Sequence, residues 1–283
     1  MKQGTIDKPV RISDRNPRNV FTHALLKPAP EDYGITFVSP YGGAHAHIDN
    51  AVEKTFGVSL RGGNGKVVVR VVEHWLAALY ALDIDNLRIE LSSDMPPIFD
   101  GSVVKLITAL KGRVVRQDKE RPVKNPHWTG RDRFGFYSRG GPDRLTAAPA
   151  QDFALAGVFN HPKAPFAGTQ AYTWDGRLES FETDLAPART NVLLNRFTKI
   201  PFLAAAALGL HNLNESTSLI SYGNRWENES RYGGDEPVRH FVLDRIGALA
   251  LLPYRLRCHL TFERTGHSFD IEALRALHSE ISW

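Results

Sequence analysis

The two halves of the chain show the same order of strand-like and helix-like segments, and this order constrains the fold more than any other feature. In the first half, short apolar or alternating runs predict strands, and a longer apolar run predicts a helix. The strands are predicted at residues 20–28, 34–39, 65–72 and 86–92, and the helix begins at Glu73. A turn at 94–102 leads to a short helix at 103–110, which Asp100 or Ser102 is expected to cap.

The second half repeats this order with weaker strands. Its predicted elements are a strand at 152–160, helices at 198–210 and 238–252, a strand at 255–263 and a last helix at 268–281. Thr198 is the predicted cap of the helix at 198–210. Two such halves predict an α+β fold in which two layers of strands and helices pack on each other.

A polar segment between the halves, residues 111–126, carries many charges and two prolines and is the predicted linker. It places the domains at 1–117 and 118–283. A chain of 283 residues is long enough for two such domains. The hydrophobic content of 42% and charged content of 23% are ordinary for a globular protein.

Composition narrows the classes of function. The formal charge of +4 is small and no lysine or arginine run stands out, so nucleic-acid binding is not expected. The single cysteine, Cys258, excludes an internal disulfide and a zinc site built from cysteines. No segment reaches the roughly 18–20 apolar residues of a membrane span, and residues 1–16 lack the apolar core of a signal peptide. We expect a cytoplasmic monomer without stable membrane insertion.

Two ionisable residues, Glu73 and His74, begin the otherwise apolar helix of the first half. The helix dipole favours an acid in the first turn, and a single histidine is most often structural. The alternative is a metal ligand with a catalytic base beside it. In the second half, His240 and Asp244 are four residues apart and therefore share one face of a helix. Such a pair can bind one metal ion, but by itself it is more often an ordinary surface or cap pairing.

A catalytic zinc ion commonly takes three protein ligands and leaves one position for water. His74 is a candidate for the third ligand beside His240 and Asp244, and Glu73 would then lie next to the water. Zinc lowers the pKa of its water to about 7, so that a neighbouring carboxylate can accept the proton. Two histidines and one aspartate also suit iron(II). Spacing alone does not bring residues so distant in sequence together.

Six segments of the chain resemble blocks of one enzyme family, the UDP-3-O-acyl-N-acetylglucosamine deacetylases, which are the zinc enzymes of lipid A synthesis. They follow the family order over most of the chain. The segments are VVEHWLAALYALDIDNLRIEL (71–91), PPIFDGS (96–102), FNHPKAPFAGTQAYTWD (159–175), LAPART (185–190), DEPVRHFVLDRIGAL (235–249) and RTGHSFDIEALRAL (264–277). The resemblance implies a two-domain α/β sandwich. Each domain would be a β-sheet layered with helices and would carry an insert, with residues 191–210 at an acyl-chain passage.

The resemblance also implies a role for each matching residue of the site. The zinc ligands would be His74, His240 and Asp244. Glu73 would be the general base for the zinc-bound water. Thr190 would donate a hydrogen bond to the developing oxyanion, and His267 would be the cation that stabilises the oxyanion and protonates the leaving amine.

The chain departs from the family pattern near this site. Phe241 stands where the family has a lysine, and Ala248 stands where it has an aspartate near the catalytic histidine. Loss of that carboxylate predicts a lower pKa for His267. An aromatic pair of the family is replaced by Asn191 and Val192. The residues expected to contact substrate are Phe241, Asn191, Arg239 and His161, although a turn residue is an equal interpretation of His161.

The resemblance implies a zinc-dependent hydrolase that removes an N-acetyl or other N-acyl group from an amino sugar. The substrate would be UDP-3-O-acyl-N-acetylglucosamine, or another N-acylated sugar if the departures redirect the site. The alternative is a catalytically weak or inactive metal-containing protein that binds a nucleotide sugar or a related ligand. Intact Glu73, Thr190 and His267 argue for the enzyme, whereas Phe241 and Ala248 argue for the alternative.

Overall fold

The computed structural model describes residues 1–54, 57–126, 135–138, 140–193 and 214–280. The strands of this part of the chain are β1 (Lys2–Ile6), β2 (Val10–Arg15), β3 (Phe21–Pro28), β4 (Ile35–Ser39), β5 (Gly42–His45), β6 (Ala51–Lys54), β7 (Gly57–Arg61), β8 (Val67–Arg70), β9 (Leu87–Leu91), β10 (Val114–Glu120), β11 (Val123–Lys124), β12 (Gly135–Ser138), β13 (Arg144–Pro149), β14 (Ala154–Phe159), β15 (Gln170–Trp174), β16 (Thr190–Leu193), β17 (Ser218–Ser221), β18 (Arg255–Leu256) and β19 (Cys258–Glu263). The helices are α1 (Glu73–Ala81), α2 (Val104–Leu110), α3 (Leu178–Ser180), α4 (Glu236–Leu249) and α5 (His267–Glu280).

Two five-stranded sheets of identical topology form the frame of the molecule. The strand order is β2-β3-β9-β4-β5 in the first sheet and β12-β13-β19-β14-β15 in the second. In each sheet two antiparallel hairpins flank a central strand that follows both of them in the sequence, β9 in the first sheet and β19 in the second. This strand pairs antiparallel with one hairpin and parallel with the other. The fold is therefore α+β, and the predicted repetition of the two halves is confirmed.

The helices α1 and α4 pack directly against each other. Every residue of α1 except His74 is buried, and every residue of α4 except Arg239 is buried. Cover for α4 comes from α1 and from the strands β14 and β15. One continuous apolar core runs through both halves of the chain.

The helix packing is closest at Gly247. A Cβ atom at this position would lie 2.1 Å from the backbone oxygen of Glu73. Only a glycine permits this approach, because a side chain there would meet backbone rather than a flexible group. The contact therefore fixes the distance between the start of α1 and the middle of α4.

Each half carries a small additional sheet between its second hairpin and its long helix. In the first half, β6, β7 and β8 form a three-stranded antiparallel sheet with a glycine-rich turn at 62–65. In the second half, β16 and β17 pair in parallel. The helix predicted at 198–210 lies outside the described residues.

The turn at 96–102 joins the two halves. Trp75 of α1 donates its indole N–H to the backbone oxygen of Pro97 at 2.9 Å, and Arg231 pairs with Asp100 at 3.0 Å. Gly101 has a φ of 80°, and a Cβ there would lie 1.8 Å from the backbone oxygen of Thr217. The turn is therefore held from both sides, which accounts for its proline- and glycine-rich sequence.

Two local predictions are wrong. The polar segment 111–126 is not an open linker, because β10 pairs antiparallel with β1 and β11 pairs parallel with β18. Its exposed charges reflect an edge strand rather than a free connection. The expected cap of α2 is also absent: Val103 precedes the helix, and Asp100 instead accepts hydrogen bonds from Ser102 in a local turn. The domain division at 117/118 falls inside β10 and stays a prediction.

The other elements predicted within the described residues are present. On β19, Cys258 is buried and His259 is exposed, the alternation typical of a strand with one covered face. None of the described helices has the length and apolar composition that a bilayer-spanning segment requires.

Gly247→Ala should destabilise the protein by roughly 1–3 kcal/mol, the usual cost of an overpacked core. The added methyl group meets the Glu73 carbonyl and must move α4 away from α1. Urea unfolding of the metal-free protein measures this change. Gly112→Ala is the matched control, because a Cβ at that position meets no atom within 4 Å. Equal stability of both variants would show that the helices tolerate a wider separation.

Candidate metal centre

Packing of α1 against α4 brings three ligand-type side chains from the two halves together. The Nε2 atoms of His74 and His240 each lie 3.4 Å from Oδ1 of Asp244. The two imidazole rings meet edge to face, with centroids 4.9 Å apart. The three donor atoms all lie within 4.8 Å of one another. The predicted convergence of these three residues is thus present in the fold.

The donor set fits a divalent metal ion. Two ligand atoms that are each about 2.1 Å from a tetrahedral zinc ion are about 3.4 Å from one another, and both His–Asp distances have this value. Oδ1 of Asp244 is buried and has no hydrogen-bond partner among the described residues. A buried carboxylate oxygen that faces two imidazole nitrogens and lacks a hydrogen-bond partner would be satisfied by a bound cation. Two histidines and one carboxylate suit zinc and also iron(II).

The segment before β16 orients His240. Its Nδ1 lies 3.2 Å from the backbone oxygen of Ala188. A carbonyl oxygen can only accept, so Nδ1 carries the proton and Nε2 presents its lone pair to the cluster. Arg189 holds this segment through a buried bidentate ion pair with Glu236 at the start of α4. Thr190 follows directly as the first, half-buried residue of β16.

Glu73 lies behind the cluster. It is 2% exposed, and its Oε2 accepts a hydrogen bond from the backbone N–H of Val58 at 2.8 Å. A Cβ on Gly57 would lie 2.5 Å from Oε1, so this glycine makes room for the carboxyl group. The chain enters α1 through Val71 with a φ of 56°, a strained value for a β-branched residue. Burial raises the pKa of Glu73 to about 7, with His74 opposing and Asp244 reinforcing the shift.

The pKa values of the three ligand-type residues are shifted because one buried carboxylate, that of Asp244, lies among imidazole rings. Burial alone would raise the pKa of Asp244, but the charges of the neighbouring histidines hold it well below its ordinary value. Burial opposes protonation of His74, yet the nearby negative charge of Asp244 raises its pKa above the usual value. Burial lowers the pKa of His240. Asp244 is therefore ionised, as a metal ligand must be.

His267 begins α5 on the other side of Asp244. Its Nε2 lies 3.8 Å from Oδ2 of Asp244, and its buried Nδ1 has no partner within the described ranges. Burial lowers the pKa of His267 to about 4; Asp244 opposes this shift and Arg245 adds to it. The direction is the one expected from Ala248, but the causes that act in the structure are burial and Arg245.

Two of the predicted substrate contacts, Phe241 and His161, pack against the Phe159 ring. Phe241 is 6% exposed; its ring meets the Phe159 ring edge to face and lies under the Arg245 guanidinium. His161 is half-buried with its ring stacked on Phe159, and its Nδ1 accepts a hydrogen bond from Lys163 N–H. Burial lowers the pKa of His161. Their contact with substrate stays a prediction.

The other two predicted contacts are held by protein groups. Asn191 donates its amide to the backbone oxygen of Pro237, while its buried Oδ1 has no partner in the described part of the chain. Arg239 pairs with the carboxylates of Asp184 and Asp235. Its guanidinium also lies between two aromatic rings, Tyr172 and Tyr232. These contacts orient both residues, and their role toward substrate stays a prediction.

Two charged residues lie against the site: sequence reasoning did not single out Arg245, and it noted Asp270 only as a departure from an asparagine of the family pattern. Asp270 is 1% exposed, and Oδ2 of its carboxylate lies 3.2 Å from the Arg245 guanidinium. Burial raises the pKa of Asp270 to about 6, with Arg245 opposing the shift. Each is a charge within an apolar helical pattern, which is the signal that could have identified them.

A cavity of about 610 Å³ lies at the opposite end of α1 from His74. Tyr80 and Tyr254 line it, together with Arg121 and Arg255. Both arginines already pair with Asp83 and Asp85, and no residue of the metal cluster borders the cavity. It is therefore separate from the candidate metal centre.

Comparison with known proteins agrees with this geometry. The family model described as LpxC: UDP-3-O-acyl N-acetylglycosamine deacetylase matches residues 3–279, and the chain belongs to this family. Similar proteins named UDP-3-O-acyl-N-acetylglucosamine deacetylase occur in Nostoc sp., Chlamydia muridarum and Oleidesulfovibrio alaskensis. The Nostoc protein is 31% identical over 96% of this chain and 96% of its own length. The Chlamydia muridarum protein is 31% identical over 87% of this chain and 84% of its own length. The Oleidesulfovibrio alaskensis protein is 30% identical over 99% of this chain and 91% of its own length.

With the metal removed, Glu73→Gln should become more stable than the wild type as the pH rises through about 7. The folded-state pKa of Glu73 is raised, so the linked stabilisation is complete below pH 4.5 and is lost as the pH rises through 7. A shift of this size corresponds to about 3 kcal/mol. Urea unfolding at pH 5 and pH 8.5 in the presence of a chelator measures the difference. Glu280→Gln, a change on the exposed end of α5, is the control, and parallel pH curves for wild type and Glu73→Gln would contradict the prediction.

Proposed function

We propose that this protein is a metal-dependent hydrolase, with zinc as the metal, which removes the N-acetyl group from UDP-3-O-acyl-N-acetylglucosamine. The observation that carries the proposal is the buried cluster of His74, His240 and Asp244 with Glu73 beside it. The names of the related proteins supply the substrate class. Iron(II) is the alternative metal, because the same donor set accommodates it.

The proposed chemistry assigns one task to each part of the site. A divalent ion held by His74, His240 and Asp244 would polarise the amide carbonyl and lower the pKa of a water molecule. Glu73 accepts the proton of this water as it attacks the carbonyl carbon. A general base is most effective when its pKa lies near the working pH, and burial raises the pKa of Glu73 to about 7 in the metal-free protein.

Thr190 and His267 act on the other side of the amide. The hydroxyl of Thr190 donates a hydrogen bond to the oxygen that becomes negative in the transition state. His267 gives a proton to the leaving nitrogen as the C–N bond breaks, so that acetate and a free amine result. His267 is neutral at neutral pH in the metal-free protein because burial lowers its pKa to about 4. His267 therefore has to take up a proton from solvent before it acts as the acid, and negative charge that develops beside it favours this uptake.

A second function, a metal-containing protein that binds a nucleotide sugar without turning it over, is favoured by Phe241 and Ala248. The buried phenyl ring of Phe241 offers no cation to an anionic substrate. Ala248 is also buried and supplies no carboxylate near His267. We rank it second because a binding protein has no evident use for Glu73 beside the metal cluster. Monomeric state and cytoplasmic location stay predictions.

His240→Ala should remove the metal. The variant loses one of three ligands, and two-ligand sites do not retain a divalent ion through dialysis against a weak chelator. Metal analysis of the dialysed protein measures this loss. His259→Ala, on the exposed face of β19, is the matched control. Retention of one zinc ion per chain by His240→Ala would show that the ligand assignment is wrong.

Glu73→Gln should keep the metal and lower the rate of acetate release by roughly 10²–10⁴-fold, the usual contribution of a positioned general base. The assay follows acetate release from UDP-3-O-acyl-N-acetylglucosamine by the zinc-loaded protein, with N-acetylglucosamine as the comparison substrate. Binding of the UDP-linked sugar with no acetate released by the wild type would favour the second function. An unchanged rate in the variant would mean that another group activates the water.

A further inference from the structure

Arg245 makes a dense set of contacts for a buried cation. Its side chain is 4% exposed. Nη1 donates to the backbone oxygen of Phe241 at 3.1 Å, and Nη2 donates to the backbone oxygen of Thr265. Nη2 also lies 3.2 Å from Oδ2 of Asp270. The guanidinium carbon is 3.6 Å from the centre of the Phe241 ring.

These contacts join α4, which carries two of the proposed metal ligands, to the turn that carries His267. Arg245 belongs to α4, which supplies the ligands His240 and Asp244. Thr265 lies two residues before His267, and Asp270 lies one helical turn after it, on α5. One arginine side chain therefore holds both ends of the turn from which His267 projects.

The same guanidinium also lies beside the metal ligand. Nη1 of Arg245 is 3.7 Å from Oδ2 of Asp244, and Nε2 of His267 is 3.8 Å from that same oxygen. Oδ1 of Asp244 faces the two histidine ligands. The carboxylate thus has an inner oxygen toward the metal position and an outer oxygen toward Arg245 and His267. Groups on the outer side of a ligand commonly fix its orientation.

We propose that Arg245 is a positioning residue of the hydrolytic site. Held by Asp270 and Thr265, it sets the position of His267 relative to Asp244. The role rests on the proposed function for its kinetic consequence, because a proton donor displaced by about 1 Å costs on the order of 10²-fold in rate. The position of the imidazole itself is measurable without turnover.

A purely structural ion pair would behave differently from a positioning residue. Removal of one partner leaves a buried charge without compensation, whereas removal of both charges commonly restores stability. The double variant Arg245→Met with Asp270→Asn therefore separates the two roles. It should unfold at a urea concentration near that of the wild type and bind one metal ion, while Arg245→Met alone is clearly less stable.

The kinetic readout is kcat and KM for the UDP-linked acyl sugar, measured separately. In the double variant kcat should fall roughly 10–100-fold while KM changes less than about threefold, because His267 acts on bond cleavage rather than on binding. The single variant Arg245→Lys should keep only part of the wild-type kcat, since a lysine cannot reach Thr265 and Asp270 together. A double variant with wild-type kcat would overturn the proposal.

Crystal structures of the zinc-loaded wild type and double variant provide the readout that does not depend on activity. The His267 imidazole should move by about 1 Å or adopt more than one orientation in the variant. An unmoved imidazole would overturn the proposal whatever the rates. A displaced imidazole in a protein without deacetylase activity would refute the proposed function and leave the positioning role standing.

Arg121→Met is the matched control. Arg121 is another arginine with a 4% exposed side chain and two carboxylate partners, Asp83 and Asp85, but it lies next to β10 and away from the metal cluster. Its loss should lower stability and leave kcat within about twofold of the wild type. A fall in kcat equal to that of Arg245→Met would mean that general destabilisation, rather than position, controls the rate.

Discussion

The contact between α1 and α4 is the interaction on which the site depends. Glu73 and His74 come from one half of the chain, and His240 and Asp244 come from the other. The absent side chain of Gly247 lets the α4 backbone reach the Glu73 carbonyl oxygen, and both helices are buried almost completely. A shift of one helix along the other would displace apolar side chains in both halves. The core therefore fixes the ligand geometry more firmly than surface loops could.

Electrostatics explains why this contact is better suited to a metal than to a structural network. Glu73, Asp244 and His240 are all buried and lie within one small volume. Burial of ionisable groups costs several kcal/mol unless charge and hydrogen bonds compensate it. Asp244 Oδ1 has no hydrogen-bond partner among the described residues, so the compensation is incomplete within that part of the chain. A divalent cation between the three donors would complete it.

Sequence patterns predicted much of this arrangement because its parts are local. The four-residue spacing of His240 and Asp244 requires only a helix, and the alternation on β19 requires only a strand. The convergence of His74 with these residues is not local; only the family resemblance indicated it. The structure of residues 111–126 was mispredicted because polarity does not distinguish an edge strand from a linker. Arg245 was missed, and Asp270 was given no role, because their function depends on a pairing between two helices, which no periodicity encodes.

The central claim is that the three donor atoms hold one metal ion beside Glu73. The most direct measurement is a crystal structure of the zinc-loaded protein, with anomalous data collected on both sides of the zinc absorption edge. We predict one zinc ion at about 2.0–2.2 Å from Nε2 of His74, Nε2 of His240 and Oδ1 of Asp244. Glu73 should lie beside the fourth coordination position without binding the ion. A zinc ion bound elsewhere, or an ion coordinated by Glu73 in place of one of the three donors, would contradict the account.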